Sequence, residues 1–540
     1  MGAFNVDLYL GIDLSTQSCK GVLMSDTLQV VGNAVVQFDN DLPQYGTKNG
    51  VLLKGNGVVV SPTLMWVEAI DLLFQRLSEL GFPLRAVVRS ISVSGQQHGS
   101  VYWKRRSRSV LNSLVSSKTL KEQLENCFST TLSPIWMDSS TGAECHHLEE
   151  VLGGAKNLAE VTGSRAYERF TGNQIARFAK NHPAEYEDTE RISLVSSFVT
   201  SLLRGDFAPI DFSDGCGMNL LNIHTRRWDA RCLDACAPGL EERLGDPVPS
   251  WTTLGCVCPF FQERFGLSAS CEVVCGSGDN PCSLVGLRLC SEGDIAVSMG
   301  TSNTVFALTD TFKAPPAGHV FISPLNERVF MTMLCFMNGD IPRAEMCKKH
   351  AGGDWARFNQ LVESVPAGNN GNVMLYYNQP EIVPHTAVSG VFRFGSDGQP
   401  VATLSPAEEC RGVIEAQFLS MRLHLGDIAC STYRRVVATG GSSTNRVILQ
   451  ILADVFQAPV YTIDCKDSAC MGAAIRAYQS HVLGAEKDGE SAQHAFERVF
   501  EKEASAYHLA CSPNPAMGEV YDGMMERFRS CEEVVVGMHP

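Results

Sequence analysis

The sequence predicts a protein of the α/β class with two or more domains. Strand and helix patterns alternate through the first half of the chain, as is typical of α/β domains. The chain has 540 residues, whereas a single hydrophobic core stops growing near ~250–300 residues. A strand, a short hydroxyl-rich turn and a second strand occur at 9–24, and the same plan returns at 294–308.

Composition and charge narrow the class of partner. The formal net charge is −15, from 44 basic and 59 acidic residues, which disfavours the phosphate backbone of a nucleic acid as the main partner. The basic run 104–108 is expected to be a solvated loop, with an anion or partner contact as the alternative. We find no charged leader and no run of ~18 apolar residues, so we expect no membrane contact. The 20 cysteines are then expected to be reduced thiols in the cytoplasm.

The first hairpin is expected to use strands at 8–12 and 19–25, and a third strand at 28–38 follows. Asp13 stands at the end of the first strand, directly before a turn with two hydroxyl residues. A turn of this kind aims backbone N–H groups and hydroxyls at phosphate oxygens, and the Asp can hold a water-ligated Mg²⁺. Two such hairpins facing each other would form a nucleotide cleft.

The next elements lead to a second group of polar residues. Residues 62–80 have apolar side chains at helical spacing, which predicts a helix. A strand at 90–94 then delivers Gly95-Gln96-Gln97-His98-Gly99 to its carboxyl end, where open α/β sheets place ligand contacts. Taken alone, His98 is more often a satisfied structural histidine than a ligand. Residues 105–133 are polar and poorly patterned, which predicts an insertion of loops with at most one short helix.

The stretch 138–207 is expected to be mainly helical, with a polar interruption at 163–174. Glycines bracket this interruption, and most of its residues can form hydrogen bonds. It either lines a pocket for a polar small molecule or connects two helices, and the residues alone leave both interpretations open.

A glycine turn carries Asp279 at the end of a strand near 273–275. The turn lacks the third Gly of a dinucleotide fingerprint, which disfavours a Rossmann cofactor site. Taken alone, Asp279 is also a candidate helix N-cap. Buried core thiols are preferred over a zinc site, because the spacing is poor, for Cys256, Cys258, Cys271 and Cys275.

A comparable turn lies near the end of the chain. A strand at 435–439 runs into Gly440 and Gly441 and then into an N-cap and a helix with one apolar face. Glycines before a helix let the backbone approach a ligand, and the N-terminus of a helix attracts anions. A further strand is expected at 459–464, and the small residues of 468–474 permit tight helix contact.

Taken in order, these segments resemble the FGGY carbohydrate kinases, which belong to the actin, hexokinase and Hsp70 ATPase superfamily. The resemblance runs through most of the chain and rests on Asp13-Leu-Ser-Thr-Gln, Asp41-Leu-Pro, Gly95-Gln-Gln-His-Gly, Trp136-Met-Asp-Ser-Ser, the run 163–174, Gly278-Asp-Asn-Pro, Gly300-Thr-Ser and Thr439-Gly-Gly-Ser. The Arg-Phe-Thr-Gly-Asn-Gln block within 163–174 is more specific than the short glycine turns.

The resemblance implies two ribonuclease-H-like domains with the active site in the cleft between them. The first, 1–285, would bind the sugar and carry the first phosphate hairpin, and the second, 286–540, would bind the nucleotide. A final helix is expected near Val520–Arg529. We expect a monomer, and an oligomer stays open.

The implied reaction is phosphoryl transfer from MgATP to the terminal hydroxyl of D-xylulose, a small-molecule ketose. An alcohol is a poor nucleophile at neutral pH, so a carboxylate has to accept its proton. The resemblance assigns this base to Asp279 and a sugar hydroxyl contact to Asn280. It also assigns sugar contacts to Gln97, His98 and Arg169. Bacterial members usually have Met at the position of Gln97, which leaves the fine sugar selectivity open.

For the nucleotide, the resemblance places Asp13 toward Mg²⁺, with the metal held through water. It assigns the phosphate contacts to Ser15 and Thr16 in the first hairpin and to Gly300, Thr301 and Ser302 in the second. Nucleotide contacts are also implied for Gly440, Gly441 and Asn445. Trp355 is expected to border the adenine, with packing as the alternative. Lys20 is either a phosphate contact or a surface lysine.

Two other functions remain open on the sequence. One is an FGGY kinase for another ketose or polyol, and the other is a catalytically silent protein that binds sugar or nucleotide. Retention of both Asp13 and Asp279 disfavours the silent protein, since a pure binder needs no proton acceptor. A P-loop enzyme or a protein kinase is disfavoured, because neither Gly-Lys-Ser/Thr nor His-Arg-Asp occurs.

Overall fold

The computed structural model describes residues 6–326, 328–429, 431–465, 467–483 and 506–538. The chain forms two units. Unit 1 comprises the residues up to Cys290, the segment Phe321–Val329 and the segment that begins at Cys465. Unit 2 comprises Ser291–Val320, Phe330–Asp464 and the described residues from 506 onward. The sequence-based division into 1–285 and 286–540 stays a prediction.

Unit 1 is built on a seven-stranded mixed sheet. Its strands are, in spatial order, Thr253–Cys256, Glu272–Val274, Val88–Gly95, Leu8–Leu14, Ser18–Ser25 and Val30–Gln37, with Ser277–Gly278 also paired to Val88–Gly95. Leu8–Leu14 pairs antiparallel with Ser18–Ser25 and parallel with Val88–Gly95. The strands predicted at 8–12, 19–25, 28–38 and 90–94 therefore form, with bounds that differ by two residues or fewer.

The central strand Leu8–Leu14 is buried along its whole length, which explains why its sequence is continuously apolar up to Asp13. Gly11 lies where another element comes very close, since a Cβ there would be 2.1 Å from the carbonyl oxygen of Cys470. Cys470 belongs to the helix Ser468–Leu483. A Cβ on Gly472 would likewise be 1.7 Å from the carbonyl oxygen of Cys282. The tight helix contact predicted for 468–474 is confirmed.

The helices of unit 1 cover this sheet and form a helical region after it. They are Phe38–Asp41, Thr63–Glu79, Leu84–Val87, Ser107–Leu111, Leu120–Leu124, Gly142–Leu152, Ala155–Thr162, Thr171–Asn181, Pro183–Glu187, Val195–Arg204, Phe212–Gly215, Ala230–Cys236, Leu240–Leu244, Pro259–Phe265, Asp279–Gly286 and Ser468–Leu483. Three small sheets accompany them, formed by Leu52–Gly55, Val58–Pro62 and Leu132–Pro134, by Ser100–Lys104 and Thr189–Leu194, and by Leu221–Asn222 and Arg227–Trp228.

Two local expectations for unit 1 were incomplete. The 105–133 insertion contains two short helices rather than at most one, and a capping box at Thr119 starts the second of them. The stretch 138–207 also contains a strand, Thr189–Leu194, because this segment pairs with Ser100–Lys104. A partner more than eighty residues away in the sequence stabilises this strand, so local pattern does not reveal it.

The basic run 104–108 is held by acidic partners within unit 1. Lys104, Arg105 and Arg108 form ion pairs with acidic side chains, namely Asp188 at 3.5 Å, Glu187 at 2.8 Å and Asp206 at 2.6 Å. The side chains of Arg105 and Arg108 remain largely exposed, so the run is solvated, as predicted. It is not a loop throughout, because Lys104 ends the strand Ser100–Lys104 and the helix Ser107–Leu111 begins within it.

Unit 2 repeats the same plan on a second seven-stranded sheet. Its strands are, in spatial order, His319–Ile322, Phe330–Phe336, Asn303–Thr309, Asp294–Met299, Arg435–Thr439, Val460–Ile463 and Tyr507–Cys511. Val373–Tyr377 and Gly390–Phe394 form a separate pair. The helices are Asp340–Ala351, Trp355–Glu363, Pro406–Ile428, Arg446–Phe456 and Ala516–Val536. The last helix is longer than the predicted Val520–Arg529.

Among the residues that the structure describes, no helix is both long enough and apolar enough to cross a bilayer.

Candidate active site

Asp13 stands near the carboxyl end of the central strand of unit 1 and is buried. Its Oδ2 accepts a hydrogen bond from the Ser15 hydroxyl at 2.7 Å, and its Oδ1 accepts one from the Ser94 hydroxyl at 2.7 Å. Burial raises the pKa of Asp13, and the two hydroxyl hydrogen bonds oppose this rise. The carboxyl group is therefore fixed in one orientation, with lone pairs left on both oxygens.

The donor type at Asp13 fits a magnesium ion. Mg²⁺ prefers hard oxygen ligands and usually keeps several of its waters, so one or two carboxylates suffice to hold it. Asp13 supplies such an oxygen, and the hydroxyls of Ser15 and Ser94 hold it in place.

The turn of the first hairpin presents Ser15 and Thr16. The Ser15 N–H donates to the Ser18 carbonyl at 2.9 Å, which closes the turn. The indole Nε1 of Trp136 donates to the Thr16 hydroxyl oxygen at 2.9 Å. Lys20, which is paired with Asp13 across the two strands, forms an ion pair with Asp467 at 2.5 Å. Lys20 is therefore anchored beside the hairpin and is not a free surface lysine.

Asp279 is delivered by a neighbouring strand end. The short strand Ser277–Gly278 pairs parallel with the end of Val88–Gly95, and the helix Asp279–Gly286 begins directly after it. The N-cap of this helix is Gly278, and no side chain caps it. The interpretation of Asp279 as a mere N-cap is therefore wrong.

The two carboxylate oxygens of Asp279 have different surroundings. Oδ1 accepts from the backbone N–H of Gln97 at 3.3 Å and from the backbone N–H of Asn280 at 2.9 Å, and the Asn280 side-chain Nδ2 lies 3.3 Å away. Within the described part of the chain, Oδ2 accepts no hydrogen bond. One oxygen is thus a fixed anchor, and the other is available to accept a proton.

The pKa of Asp279 suits a general base. Although the residue is partly exposed, protein surrounds its carboxyl group, and this desolvation raises the pKa to about 7. The charge of Asp13 adds to the rise, and the backbone N–H donors oppose it. A base works best when its pKa lies near the working pH, because it is then both unprotonated and basic enough.

His98 follows the same strand end and is held in an unusual backbone conformation, with φ at +70°. Its Nδ1 lies 2.8 Å from the Gly217 carbonyl oxygen, so this nitrogen carries the proton and donates. Burial and, to a smaller extent, the positive charge of Arg169 together lower the pKa of His98 to about 3. The ring is therefore neutral at pH 7, and Nε2 is a hydrogen-bond acceptor.

The segment 163–174 lies against His98. The ring of Phe170 stacks on the His98 ring with centroids 4.5 Å apart, and the Thr171 hydroxyl donates to the His98 carbonyl at 2.9 Å. The Arg169 guanidinium lies over the Tyr167 ring at 4.8 Å. These contacts favour the pocket interpretation of this segment over a plain connection between helices.

Unit 1 thus brings its predicted site residues to adjacent strand ends. The parallel register pairs Asp13 with Ser94 and Ser94 with Ser277, so three neighbouring strands end together. Around these ends lie Asp13, Ser15, Thr16, Gln97, His98, Arg169, Asp279 and Asn280. Strand ends of parallel sheets are where α/β proteins bind ligands.

In unit 2 the turn of the second hairpin is held through its backbone. The Gly300 carbonyl accepts from the Asp340 N–H at 2.8 Å, and the Thr301 carbonyl accepts from the Gly339 N–H at 3.1 Å. The residues Thr301 and Ser302 remain exposed. Their hydroxyls are therefore free to meet a ligand, while the backbone behind them is fixed.

The second glycine turn lies beside this hairpin. Gly440 has φ at +85°, and a Cβ there would be 2.4 Å from the Met299 carbonyl oxygen. Asn445 caps the next helix, since its Oδ1 accepts from the N–H of Val447 at 3.0 Å. The N-cap expected before this helix is confirmed.

Trp355 is connected to this region through its own helix. The Asn445 Nδ2 donates to Asn359 Oδ1 at 3.0 Å, and Asn359 lies one helical turn after Trp355 on the same face. The Trp355 ring meets Phe358 edge to face at 5.2 Å, and the residue is 38% exposed. One part of its ring packs, and the rest is available to a ligand.

Sequence reasoning missed two buried groups near these turns. In unit 1, Asp214 lies against Gly278, and Asp211 accepts a hydrogen bond from the Ser277 hydroxyl at 2.7 Å. In the sequence, the spacing of these two aspartates resembles an ordinary helix start. In unit 2 the fully buried Arg343 donates to Gln417 Oε1 at 2.6 Å and to the Ser442 hydroxyl at 3.3 Å. Only its position on the polar helix Asp340–Ala351, directly after the second hairpin's partner strand, hinted at this role.

Comparison with known proteins agrees with this architecture. The model of the FGGY family of carbohydrate kinases matches with its N-terminal domain at residues 130–286 and with its C-terminal domain at 295–480. The xylulose kinase of Rattus norvegicus is 44% identical over 533 residues, covering 98% of this chain and 97% of the relative. Xylulose kinase 2 of Arabidopsis thaliana is 46% identical over 483 residues, covering 87% of this chain and 86% of the relative.

Solved structures share the fold. The xylulose kinase from Rhodospirillum rubrum superposes with a TM-score of 0.79 at 17% identity, covering 98% of each chain. The glycerol kinase from Plasmodium falciparum with ADP superposes with a TM-score of 0.74 at 13% identity, covering 99% of each chain. The expected fold class, α/β with the two-domain arrangement of actin- and hexokinase-like ATPases, is confirmed. On the family models and the near-full-length relatives together, this chain belongs to the FGGY family of carbohydrate kinases.

Proposed function

We propose that this carbohydrate kinase transfers the γ-phosphoryl group of ATP to the terminal hydroxyl of D-xylulose and forms D-xylulose 5-phosphate. The relatives that are 44–46% identical carry the name xylulose kinase. The observation that carries the chemistry is Asp279, which combines one anchored oxygen, one free oxygen and a pKa raised to about 7.

Asp279 acts as the general base in this proposal. As the sugar oxygen forms its bond to the γ-phosphorus, its O–H bond breaks and the proton moves to Asp279 Oδ2, while the bond from phosphorus to the ADP oxygen breaks. The donors on Oδ1 keep the carboxylate oriented during this transfer. General-base catalysis of this kind contributes about 10²–10⁴-fold to the rate.

The sugar is oriented by the side chains around Asp279. Asn280 contacts a hydroxyl beside the base, and neutral His98 accepts from a second hydroxyl through Nε2. Arg169, whose guanidinium lies over the Tyr167 ring, donates to a sugar oxygen. Gln97 lines the same pocket. Fixing the sugar in this way converts a bimolecular step into a nearly unimolecular one.

Each hairpin is a phosphate-binding element in this proposal. Ser15 and Thr16 donate to the phosphates from unit 1, and Gly300, Thr301 and Ser302 from unit 2. Asp13 would hold Mg²⁺ through water, and the ion would supply charge neutralisation on the phosphates. Gly440, Gly441 and Asn445 contact the nucleotide, and Trp355 borders the adenine ring.

The proposal includes a monomeric state in the cytoplasm. The cysteines that the structure describes are free thiols, most of them buried, and burial raises the pKa of thiols such as Cys216 and Cys271 to about 12. Such thiols react slowly. Sedimentation velocity tests the monomer, and a concentration-dependent larger species contradicts it.

The decisive experiment measures ADP release from MgATP with D-xylulose, D-ribulose, L-xylulose, glycerol or no sugar. We expect the highest turnover with D-xylulose. Asp279→Ala and the isosteric Asp279→Asn should both lose about 10²–10⁴-fold in kcat, while nucleotide binding measured by calorimetry is retained.

The other outcomes each point to a defined alternative. Preference for another ketose or polyol keeps the mechanism and replaces the substrate. Absence of sugar-dependent turnover in the wild type contradicts the kinase proposal and favours a silent binder. If Asp279→Asn turns over as fast as the wild type, the assignment of the base is wrong.

A further inference from the structure

Gln97 and Asp214 pack together against the backbone of Gly278, directly before the proposed base. A Cβ on Gly278 would be 2.4 Å from Gln97 Cγ and 2.7 Å from Asp214 Oδ1. Gln97 and Asp214 are both buried. The absence of a side chain at Gly278 therefore lets these two polar side chains meet behind Asp279.

Each of these side chains keeps one buried polar atom that is unpaired with any described residue. These atoms are the Gln97 Nε2 donor and the Asp214 Oδ1 acceptor. Leaving a buried donor or acceptor unpaired is unfavourable, because the group has lost its hydrogen bonds to water. The Gln97 amide also lowers the pKa of Asp214, although burial and the neighbouring Asp211 carboxylate raise it more strongly. A donor and an acceptor that complement each other thus lie side by side.

The other end of the Gln97 amide faces Asn280. Gln97 Oε1 accepts from Asn280 Nδ2 at 2.8 Å, and the same Nδ2 lies 3.3 Å from Asp279 Oδ1. An amide can rotate by a half turn, which exchanges its donor and its acceptor. If Gln97 rotated, its NH₂ group would face the NH₂ group of Asn280, and Asn280 would have to rotate as well.

We propose that Asp214 fixes the orientation of the Gln97 amide, so that Asn280 presents its carbonyl oxygen, and not its NH₂ group, to the sugar. In this proposal Asp214 Oδ1 takes up the unpaired Gln97 Nε2 donor. Gln97 Oε1 already accepts from Asn280 Nδ2, which leaves Asn280 Oδ1 to accept from a sugar hydroxyl. The proposal rests on the proposed function, because it concerns the sugar contact of Asn280. Asp214 touches no substrate and is a positioning residue.

The surroundings of Asp214 hold it in place for this role. Its Oδ2 accepts from the Ser196 hydroxyl at 2.6 Å, and its N–H donates to Asp211 Oδ1 at 3.1 Å. Asp211 Oδ2 in turn accepts from the Ser277 hydroxyl at 2.7 Å, one residue before Gly278. The orientation of the amides follows in either protonation state of Asp214, since a proton on Oδ2 is shared with Ser196 and Oδ1 still accepts.

A pair of variants at Asp214 tests the hydrogen-bonding requirement. Asp214→Asn keeps an acceptor on the Gln97 side, with its NH₂ group toward Ser196, whereas Asp214→Leu has a similar volume and no acceptor. We expect kcat/KM for D-xylulose to fall at least about tenfold further in Asp214→Leu than in Asp214→Asn, which corresponds to one lost hydrogen bond. The KM for ATP should stay unchanged in both. Equal loss in the two variants, or equal changes in both KM values, overturns the proposal.

A second test does not depend on the folding of Asp214→Leu. Gln97→Glu places two carboxyl groups face to face, whereas Gln97→Glu with Asp214→Asn restores a donor opposite an acceptor and still accepts from Asn280. We expect the double variant to exceed Gln97→Glu at least about fivefold in kcat/KM for D-xylulose, because residues in contact show coupling of this size. If the effects of the two single substitutions on kcat/KM simply multiply in the double variant, the proposal is overturned.

The same double-mutant cycle is measured by urea unfolding, which needs no turnover. We expect Asp214→Asn to raise the urea midpoint when Glu stands at 97. If the wild type lacks sugar-dependent turnover, the proposed function fails while this cycle still decides whether the two side chains pair. If the wild type prefers another ketose, the kinetic comparison is made with that sugar. Absence of coupling in the urea midpoint overturns the pairing.

Discussion

The two units use one scaffold and place different chemistry on it. In each, a hairpin pairs in parallel with a strand that leads into a glycine. Asp13 pairs with Ser94 in unit 1, and Ser298 pairs with Thr439 in unit 2. Asp13 and Ser298 therefore occupy equivalent positions, yet one is a buried carboxyl group and the other a partly exposed hydroxyl.

The difference extends along the neighbouring strand ends. In unit 1 these ends lead to His98 and Asp279, which carry a neutral imidazole and a titrating carboxyl group. In unit 2 they lead to glycines and exposed hydroxyl residues, whose backbone is held from behind. A repeated scaffold thus carries buried titratable side chains at the strand ends of one copy and glycines with neutral hydroxyl residues at those of the other. Under the proposed function, the first set serves proton transfer and metal binding, and the second set binds phosphate.

The largest effect is expected from substitutions at the two equivalent positions, Asp13 and Ser298. Asp13→Asn removes the proposed magnesium ligand, and we expect kcat with D-xylulose to fall by at least about 100-fold, since a bound metal supplies several kcal/mol of charge stabilisation. Ser298→Ala is the matched control and should change kcat less than about threefold, because it removes a partly exposed hydroxyl group and no charge. Steady-state kinetics across a Mg²⁺ titration measures both. Equal losses would mean that the two positions do the same work.

The two units also differ in pH dependence, because among the described residues at these strand ends only Asp279 of unit 1 titrates near neutrality. Asp279 must be unprotonated to act as a base, and its pKa is raised to about 7. We expect kcat/KM for the sugar to rise about tenfold per pH unit below pH 7 and to level off above it. The KM for ATP should vary less than about threefold over the same range. A flat sugar profile from pH 5.5 to 8 would contradict the assigned base.

Substitutions at the adjacent Gly440 and Gly441 test the close backbone approach in the glycine turn of unit 2. Gly440→Ala forces a Cβ into the Met299 carbonyl at a φ of +85°, so we expect a loss of about 2–4 kcal/mol in the free energy of unfolding and weaker ATP binding. Gly441→Ala meets no atom within 4 Å and should cost less than about 0.5 kcal/mol. Urea unfolding and ATP calorimetry measure both variants. Similar effects in the two would show that the close approach at Gly440 is unimportant.

The smallest expected effect concerns Trp355. If its exposed ring borders the adenine, Trp355→Ala should raise the KM for ATP about fivefold, which corresponds to roughly 1 kcal/mol of stacking. Trp355→Phe should retain most of the affinity. The KM for D-xylulose is the internal control and should not change. An unchanged KM for ATP in Trp355→Ala would leave packing against Phe358 as the role of this ring.

Local sequence patterns predicted the parts of the fold that are locally determined. The hairpin strands around Asp13 and the capped helix after Gly441 depend on neighbours within a few residues, so composition and spacing sufficed. The strand Thr189–Leu194 escaped prediction because its stability comes from pairing with Ser100–Lys104.

The candidate site shows the same limit. The resemblance to a family supplied Asp279 and His98, but neither the raised pKa of one nor the neutral state of the other can be inferred from spacing. The proposed pairing of Asp214 with Gln97 joins positions more than a hundred residues apart in the sequence. In the sequence, Asp211-Phe-Ser-Asp214 looks like a helix start, and Asp211 does cap a short helix. The proposed role of Asp214 in orienting Gln97 can be inferred only from the structure, where both side chains lie against Gly278.

The helix Ser468–Leu483 has a consequence for how the protein is made. It packs into the backbone groove at Gly11 and against Cys282, both in unit 1, yet the ribosome synthesises it after most of unit 2, namely Ser291–Val320 and Phe330–Asp464. Domains usually complete their folding in the order of synthesis. The core of unit 1, however, stays incomplete at Gly11 until the helix Ser468–Leu483 has been synthesised. We therefore expect nascent chains that stop before Ser468 to expose this groove and to depend on chaperones.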